Sequence, residues 1–509
     1  MGKKALITGT LILTGASLIT RLLGFIFRIY MSNIMGAEGI GLYQLIFPIY
    51  MLTWSLCSAG VSLAVSKKVA ELSAKRLYQD AIRTLKCAIV LSVSIALAVA
   101  LPLFLFAPFI ANHFIHEPNT AIALRLLPFC LPFMATACCI RGYFQGRQEM
   151  LIPATAQIVE QVARMIVIAL FSSFFIPKGL AYACALGMLG LCGGEFCSCF
   201  FTFTMYKFKK RSLVLRPAIT PYNEVFATLL AISIPITANR FLTSMLQSVE
   251  NILIPLQLQK FGLPSSEALG LYGMFSGMAL PLLFFPSMVT TSIATALVPA
   301  ISEASATKNQ KTLKYTVSKS IQFSMLIGIG ASSLFYTLGP EIGMACYKLP
   351  EVGEILKILA IICPFLYLQG ILNGILNGLG LQRLTFKSTL IGSAICISLI
   401  LLLVPQKGII GFAIAMLLQS GFMTIYNLFH ILKHISLPVD IMGWILRPSI
   451  AAFFGCISMK YVHNHILLSQ FSMTFSTVIA VSLLGIFYIS YLFIFKCITL
   501  DDIKTILPF

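Results

Sequence analysis

The sequence predicts an all-α polytopic membrane protein, with about 14 transmembrane helices in two six-helix lobes and a further C-terminal pair. Three observations predict it. Of 509 residues, 58% are hydrophobic and only 10% charged, where a soluble domain carries about 25% charged residues. The apolar residues gather in stretches of about 20, the length that crosses a bilayer. The lysines and arginines concentrate in every second loop, the positive-inside pattern.

The spans run in order at approximately 5–32, 39–65, 84–107, 119–140, 153–176, 180–206, 225–254, 268–298, 317–338, 355–379, 386–404, 409–432, 446–462 and 472–495. Each should be a helix, because lipid offers the backbone no other hydrogen-bond partner. Lys3 and Lys4 precede span 1, which lacks a small-residue cleavage site and reads as an uncleaved helix. With the N-terminus inside, 25 of the 36 lysines and arginines fall on the inner side and seven on the outer. Lys504 near the end and Arg216 between spans 6 and 7 count among the inner ones. A missed or invented helix would invert the bias downstream of the error, so both termini should be cytoplasmic.

The net charge of +19 is spread over short loops between spans, so nucleic acid is not the expected partner. The 14 cysteines lie mostly within apolar spans at no zinc-ligand spacing, which suits helix packing and no metal. His113 and His116 share one short loop. No phosphate-binding G-x-x-x-x-G-K-[ST] loop occurs and no loop is long enough for an enzyme domain, so neither a cofactor nor ATP hydrolysis is expected.

An internal repeat organises the spans. Gly39-Ile-Gly-Leu-Tyr-Gln44 opens span 2 and Ala268-Leu-Gly-Leu-Tyr-Gly273 opens span 8, 229 residues later. Gly142-Tyr-Phe-Gln-Gly146 ends span 4 and Gly374-Ile-Leu-Asn-Gly378 ends span 10, 232 residues later. Six spans separate the copies, so both run the same way through the membrane, as in a parallel repeat. The expected division is an N-lobe at 1–220, a C-lobe at 221–440 and an extra helix pair at 441–509.

Charges within spans mark the candidate site, because a charge at the bilayer centre costs roughly 2.5 kcal/mol or more. Arg21 and Arg28 are seven residues apart, so they lie about 20° apart on one face of span 1. Arg28 is near the outer end, so it either snorkels outward or faces a cavity; Arg21 is too deep to snorkel. In span 5, Gln157, Glu160, Gln161 and Arg164 share one face by their spacing. Glu160 and Arg164 read either as a structural pair between helices or as part of a cargo or proton site. Span 7 carries Glu250 and, behind Pro235, Arg240, Thr243, Ser244, Gln247 and Asn251, a polar stripe that faces a cavity or another helix. Glu195 of span 6 follows Gly193-Gly194 and reads as a protonated carboxyl in a close helix contact or as a transport residue.

Several stretches resemble the sporulation stage V protein B family. They are Thr20-Arg21-Leu-Leu-Gly24 with Gly36-Ala-Glu-Gly39-Ile-Gly-Leu-Tyr43, and Arg141-Gly-Tyr-Phe-Gln-Gly146 before Pro153-Ala-Thr-Ala-Gln157-Ile-Val-Glu160-Gln-Val-Ala-Arg164. Ser233-Ile-Pro235-Ile-Thr and Leu269-Gly-Leu-Tyr-Gly273 through Pro299-Ala-Ile-Ser302-Glu303-Ala continue the likeness to about span 12. That family sits in the multidrug/oligosaccharidyl-lipid/polysaccharide exporter superfamily. The resemblance implies a V-shaped two-lobe flippase that alternates access to the two leaflets. Its implied cargo is an undecaprenyl-diphosphate-linked sugar, lipid II above all, for spore cortex. Its implied place is the bacterial plasma membrane or a membrane around the forespore.

On that reading Arg21, Arg28, Arg164, Arg240, Gln247 and Asn251 are candidate cargo residues, and Glu160, Glu195 and Glu250 candidate coupling groups. Arg21 matches the first-helix cavity arginine of lipid II flippases, and Arg28 matches one approximately. Toward a sodium site span 11 offers only serines such as Ser388 and Ser393, so the coupling ion or potential stays open. Arginine forks suit a diphosphate. The rival expectations are a cation-coupled drug exporter of the same superfamily and a non-transporting scaffold for cell-wall synthases.

Overall fold

A computed structural model describes residues 3–211, 217, 220–437, 439–462 and 473–497. Among them there is no strand; the chain is helical almost throughout. Arg216 and Lys504 of the inner-loop count, and the last residues of the C-terminal pair, lie outside the described residues.

Among the described residues, twelve helical stretches are long and apolar enough to span a bilayer. Two of these, Gly15–Ala74 and Gln382–Ile435, each hold two spans joined at a glycine, which gives the fourteen arms expected. Gly36 turns the first at φ 70°, ψ 177°, and Gly408 the second at φ 57°, ψ −137°. A side chain at either position would be strained, so glycine makes these hairpins as short as one residue.

The helices are α1 (3–35), α2 (37–74), α3 (Tyr78–Leu105), α4 (Ala121–Gly146), α5 (Leu151–Phe175), α6 (Leu180–Arg211) and α7 (Tyr222–Lys260). They continue with α8 (265–306), α9 (Gln310–Tyr347), α10 (Pro350–Gly378), α11 (382–407), α12 (409–435), α13 (Arg447–Val462) and α14 (Met473–Ile494). Both α2 and α8 are interrupted by π-helical turns, Ser55–Ala59 and Gly273–Ala279, and α8 is broken again at Phe285–Pro286, between the helical pieces Leu280–Phe284 and Ser287–Ala306. The outer faces are greasy: α3 exposes Val90, Leu97 and Leu101, and α5 exposes Leu170 and Phe174. Such faces are stable against lipid and would aggregate in water.

The chain packs as two compact units. One is the chain to Leu256 together with Pro264–Gly273; the other is Gln257–Leu263 and the chain from Met274 onward. In the first, Val61, Val65, Val69, Leu85, Tyr143 and Phe144 form a core of α2, α3 and α4. A second core joins Phe27 and Met31 of α1 to Ile168 of α5 and Leu186 of α6. In the second unit, Leu297, Ile301, Ile321, Ile371 and Ile375 join α8, α9 and α10. The extra pair docks on α9, where the Tyr488 hydroxyl of α14 donates to the Leu326 carbonyl at 2.8 Å.

The repeat is visible in packing as well as in letters. A Cβ placed on Gly142 would lie 2.5 Å from the Ser62 carbonyl oxygen, and one on Gly146 2.9 Å from Val69 and 2.5 Å from the Ser66 carbonyl. In the second unit, a Cβ on Gly374 would lie 2.8 Å from the Ala294 carbonyl, and one on Gly378 2.9 Å from Ile301 and 3.0 Å from the Val298 carbonyl. Every partner is displaced by the same 232 positions: 142 to 374, 62 to 294, 146 to 378, 66 to 298 and 69 to 301. The repeat glycines at the ends of spans 4 and 10 are where α4 crosses α2, and α10 crosses α8, with backbones in contact.

These crossings predict a paired result. Gly142→Ala and Gly374→Ala should each destabilise the protein by about 1–3 kcal/mol, the cost of overpacking. Gly485→Ala, with nothing within 4 Å of its Cβ position, should be neutral or stabilising. Thermal unfolding of the purified variants in detergent measures both.

Candidate functional site

Glycines on α6 set the site in the first unit. A Cβ on Gly193 would lie 2.7 Å from Val167, and one on Gly194 2.8 Å from the Glu160 carbonyl and 3.4 Å from Arg164 Cβ. Without side chains there, α6 lies directly on the charged face of α5. Glu195, the next residue, is thereby delivered beside Glu160 and Arg164.

Glu160 holds two guanidiniums at once. Arg164 Nη2 donates to its Oε1 at 3.0 Å, one turn along α5. Arg141 Nη1 of α4 donates to its Oε2 at 3.0 Å. All three side chains are less than one-fifth exposed. Arg141 also donates to the Cys138 sulfur at 3.6 Å. Glu195 is 2% exposed; its Oε1 accepts from the Tyr50 hydroxyl of α2 at 2.9 Å. Its Oε2 is buried with no hydrogen-bond partner among the described residues, and so is Arg164 Nε. Helices α2, α4, α5 and α6 therefore meet around two carboxyls and two guanidiniums.

The two readings of the Glu160–Arg164 pair thus meet: the pair forms, but it is shared with a third group from α4. Arg141 was counted from sequence among the inner-side loop cations. The helix runs on to Gly146, and this puts Arg141 on an internal face. Its signal was weak, one cation a single residue beyond a span end estimated to about four residues. Tyr50 had no local signal; only the fold brings it to Glu195, 145 positions away in sequence.

On α1, Arg21 is exposed and Arg28 half-buried, both with interactions inside the protein. Between them Gly24 faces α5, where its Cβ would lie 3.8 Å from Gln161 Nε2. The arginine face of α1 is thus flanked by the polar face of α5. On α7, Arg240 and Gln247 are exposed. The Arg240 guanidinium lies 5.8 Å from the centre of the Trp54 ring, just ahead of the π turn in α2. That turn leads into Gly60, which abuts Ser233 and Thr237 of α7. Asn251 is committed within the protein: Oδ1 accepts from Tyr272 at 3.0 Å, and Nδ2 donates to the Gln247 carbonyl at 2.7 Å. Glu250 is half-buried with a partner of its own.

In the second unit an apolar groove of about 450 Å³ runs between α9 and α14, lined by Leu326, Ile327, Leu334, Leu484, Tyr488 and Leu492 among others.

The shared carboxylate predicts an asymmetry. Glu160→Ala leaves two guanidiniums facing each other and should cost about 3 kcal/mol or more. Glu71→Ala, which breaks the exposed pair with Lys68 at 3.5 Å, should cost less than about 1 kcal/mol. Melting temperature and membrane-inserted yield report the difference.

Comparison with known proteins fits this architecture. A family model described as a polysaccharide biosynthesis protein matches residues 6–305. One described as lipid II flippase MurJ matches residues 201–484. Stage V sporulation protein B of Bacillus subtilis is 30% identical over 99% of this chain and 98% of its own length. Lipid II flippase MurJ of the same organism is 24% identical over 90% of this chain and 88% of its own. Among solved structures, lipid II flippase MurJ in an inward closed conformation aligns with TM-score 0.72 at 16% identity, covering 95% of this chain and 98% of that one. An inward-facing multidrug resistance MATE family transporter aligns with TM-score 0.64 at 14% identity, covering 82% of this chain and 94% of that one. The chain belongs to the stage V sporulation protein B family of polytopic membrane proteins.

Proposed function

We propose that this chain is a flippase that carries an undecaprenyl-diphosphate-linked sugar, lipid II, from the inner to the outer leaflet by alternating access. The carrying observation is the end-to-end likeness to stage V sporulation protein B, joined to a lipid II flippase match over more than half the chain. The proposed lobes are 1–220 and 221–440, with 441–509 as an accessory pair and both termini in the cytoplasm.

The chemistry suits that cargo. A lipid diphosphate carries about two negative charges, and a guanidinium fork binds phosphate oxygens bidentately. Arg21 and Arg240 are the arginines with exposed side chains on α1 and α7, and they are proposed to grip the diphosphate. Arg28 assists. Arg164 is held by Glu160, so its part is to set the local field rather than to leave that pair for cargo. Trp54 beside Arg240 offers a ring face to a sugar. Outward movement of the anionic headgroup is favoured by an inside-negative potential at about 2.3 kcal/mol per charge per 100 mV.

The extra helix pair favours the lipid cargo over a drug. The flippase structure covers 95% of this chain, and the drug exporter structure covers 82%. The apolar groove of α9 and α14 suits a prenyl chain, which an exporter of small cations has no need to house. The physiological role that follows is supply of precursor for spore cortex, in a membrane around the forespore.

Complementation of a lipid II flippase depletion tests the reading, scored by precursor exposed on the outer leaflet. Wild type should restore exposure. Arg21→Ala and Arg240→Ala should each lower the rate about 10- to 100-fold, the loss of one charged hydrogen-bonding group, with membrane levels unchanged. Undiminished flipping in both variants would remove the diphosphate grip. Resistance to cationic dyes without precursor exposure would favour the drug exporter. Complementation by a variant that cannot flip would favour a scaffold for cell-wall synthases.

A further inference from the structure

Of the three candidate coupling carboxyls, Glu160 and Glu195 share one cluster, and the geometry separates these two. Glu160 spends both oxygens on guanidiniums, so neither is left for another partner. Glu195 is different: it is buried, holds a single neutral donor in Tyr50, and keeps Oε2 bare. In the same cluster Arg164 Nε is a buried donor with no acceptor. One unmet acceptor and one unmet donor thus lie in a single charge network.

Glu195 faces ionisable groups from three other helices. From α2 come Tyr50 and, through Arg164, Tyr43. From α4 come Arg141, the Cys130 thiol and, through Arg141, Cys138. From α5 come Glu160 and Arg164. On its own helix Cys192 and Cys199 are near. Two pulls act on the carboxyl. With Glu160 ionised and both arginines charged, the cluster carries one net positive charge, which favours ionising Glu195. With only a phenol donor and a bare oxygen in a dry site, solvation favours keeping the proton. A group under opposed pulls of this kind changes state with small changes around it.

We propose that Glu195 is a proton-binding switch. In the arrangement seen here it holds a proton, and Glu160 serves both arginines. When the carboxylic acid gives its proton to water, the resulting carboxylate draws the Arg164 guanidinium, whose Nε donor is unspent. Arg141 then keeps Glu160, and Arg164 pairs with Glu195. The ion pair that α5 kept within itself now ties α5 to α6. The cluster goes from one net positive charge to none. On the flippase reading, on which this last consequence rests, an anionic headgroup nearby favours the protonated state, so cargo binding and proton uptake are coupled. Coupling groups are found where burial and neighbouring charge act together.

Infrared difference spectroscopy on the full-length protein in lipid nanodiscs, stepped from acidic to alkaline buffer, tests the switch without any cargo. The expected result is a carboxylic-acid carbonyl band that disappears on alkalinisation, with a shift of the guanidinium bands in the same step. Glu195→Gln, which keeps the shape and the acceptor for Tyr50, should abolish both signals. Glu160→Gln, which adds a net positive charge to the cluster, should make the carboxyl band disappear at a more acidic step. Arg164→Gln should keep the carboxyl band and lose the guanidinium shift. Persistence of the band in Glu195→Gln, a band that no pH step removes, or its loss with the guanidinium bands unmoved would each overturn the proposal. Because no lipid precursor is added, these outcomes stand apart from success or failure of the flipping assay.

Discussion

The constraint on which this molecule depends is the cost of charge inside a membrane bundle. A guanidinium cannot shed its proton in a protein, so an arginine at depth must be matched or kept wet. The first unit does both. Arg141 and Arg164 are matched by one carboxylate, Glu160, and α6 lies close enough on α5 to leave each of these side chains less than one-fifth exposed. Arg21 and Arg240 stay exposed instead. Helices α1 and α7 therefore offer accessible cations, while the bundle behind them pairs its own charges with one another.

Glycine makes that network geometrically possible. The ridge on α6 removes side chains where α5 approaches, and so puts Glu195 beside Glu160. The same device, used twice at a spacing of 232 residues, joins α4 to α2 and α10 to α8. The two units thus share a crossing rule but differ in what they carry. The charged cluster has no counterpart among the described residues at the equivalent place in the second unit: the positions 232 beyond Arg141 and Glu160 are Asn373 and Gly392. The shared rule is structural, and the chemistry is specific to the first unit.

Much of the fold was legible in the sequence, because a membrane imposes length, apolarity and helix together. The fourteen spans and the repeat followed from hydropathy, the cation pattern and two short glycine motifs. Hairpins as tight as those at Gly36 and Gly408 were less legible, since a continuous apolar helix and two helices joined by one glycine look alike in composition. The face of α5 was also readable, because period 3.6 puts Glu160 and Arg164 together whatever surrounds them. What α5 faces was not. Arg141 was hidden by its place at a helix end, and Tyr50 by its distance along the chain. Pairings across helices are set by the packing of glycine ridges, and no local periodicity encodes them. Asn251 illustrates the limit from the other side: period 3.6 sets it in line with the other polar residues of α7, yet its side-chain oxygen is spent on Tyr272.

Purified components test whether exposed guanidiniums of this bundle carry a lipid diphosphate across the bilayer. Proteoliposomes of the full chain, loaded symmetrically with a fluorescent undecaprenyl-diphosphate sugar, would be quenched from outside with a membrane-impermeant reductant. The account predicts that quenching proceeds past the outer-leaflet half at a rate well above that of protein-free vesicles, and that it slows when Arg21 and Arg240 are both replaced. Quenching that stops at one half with the wild-type protein present would contradict it.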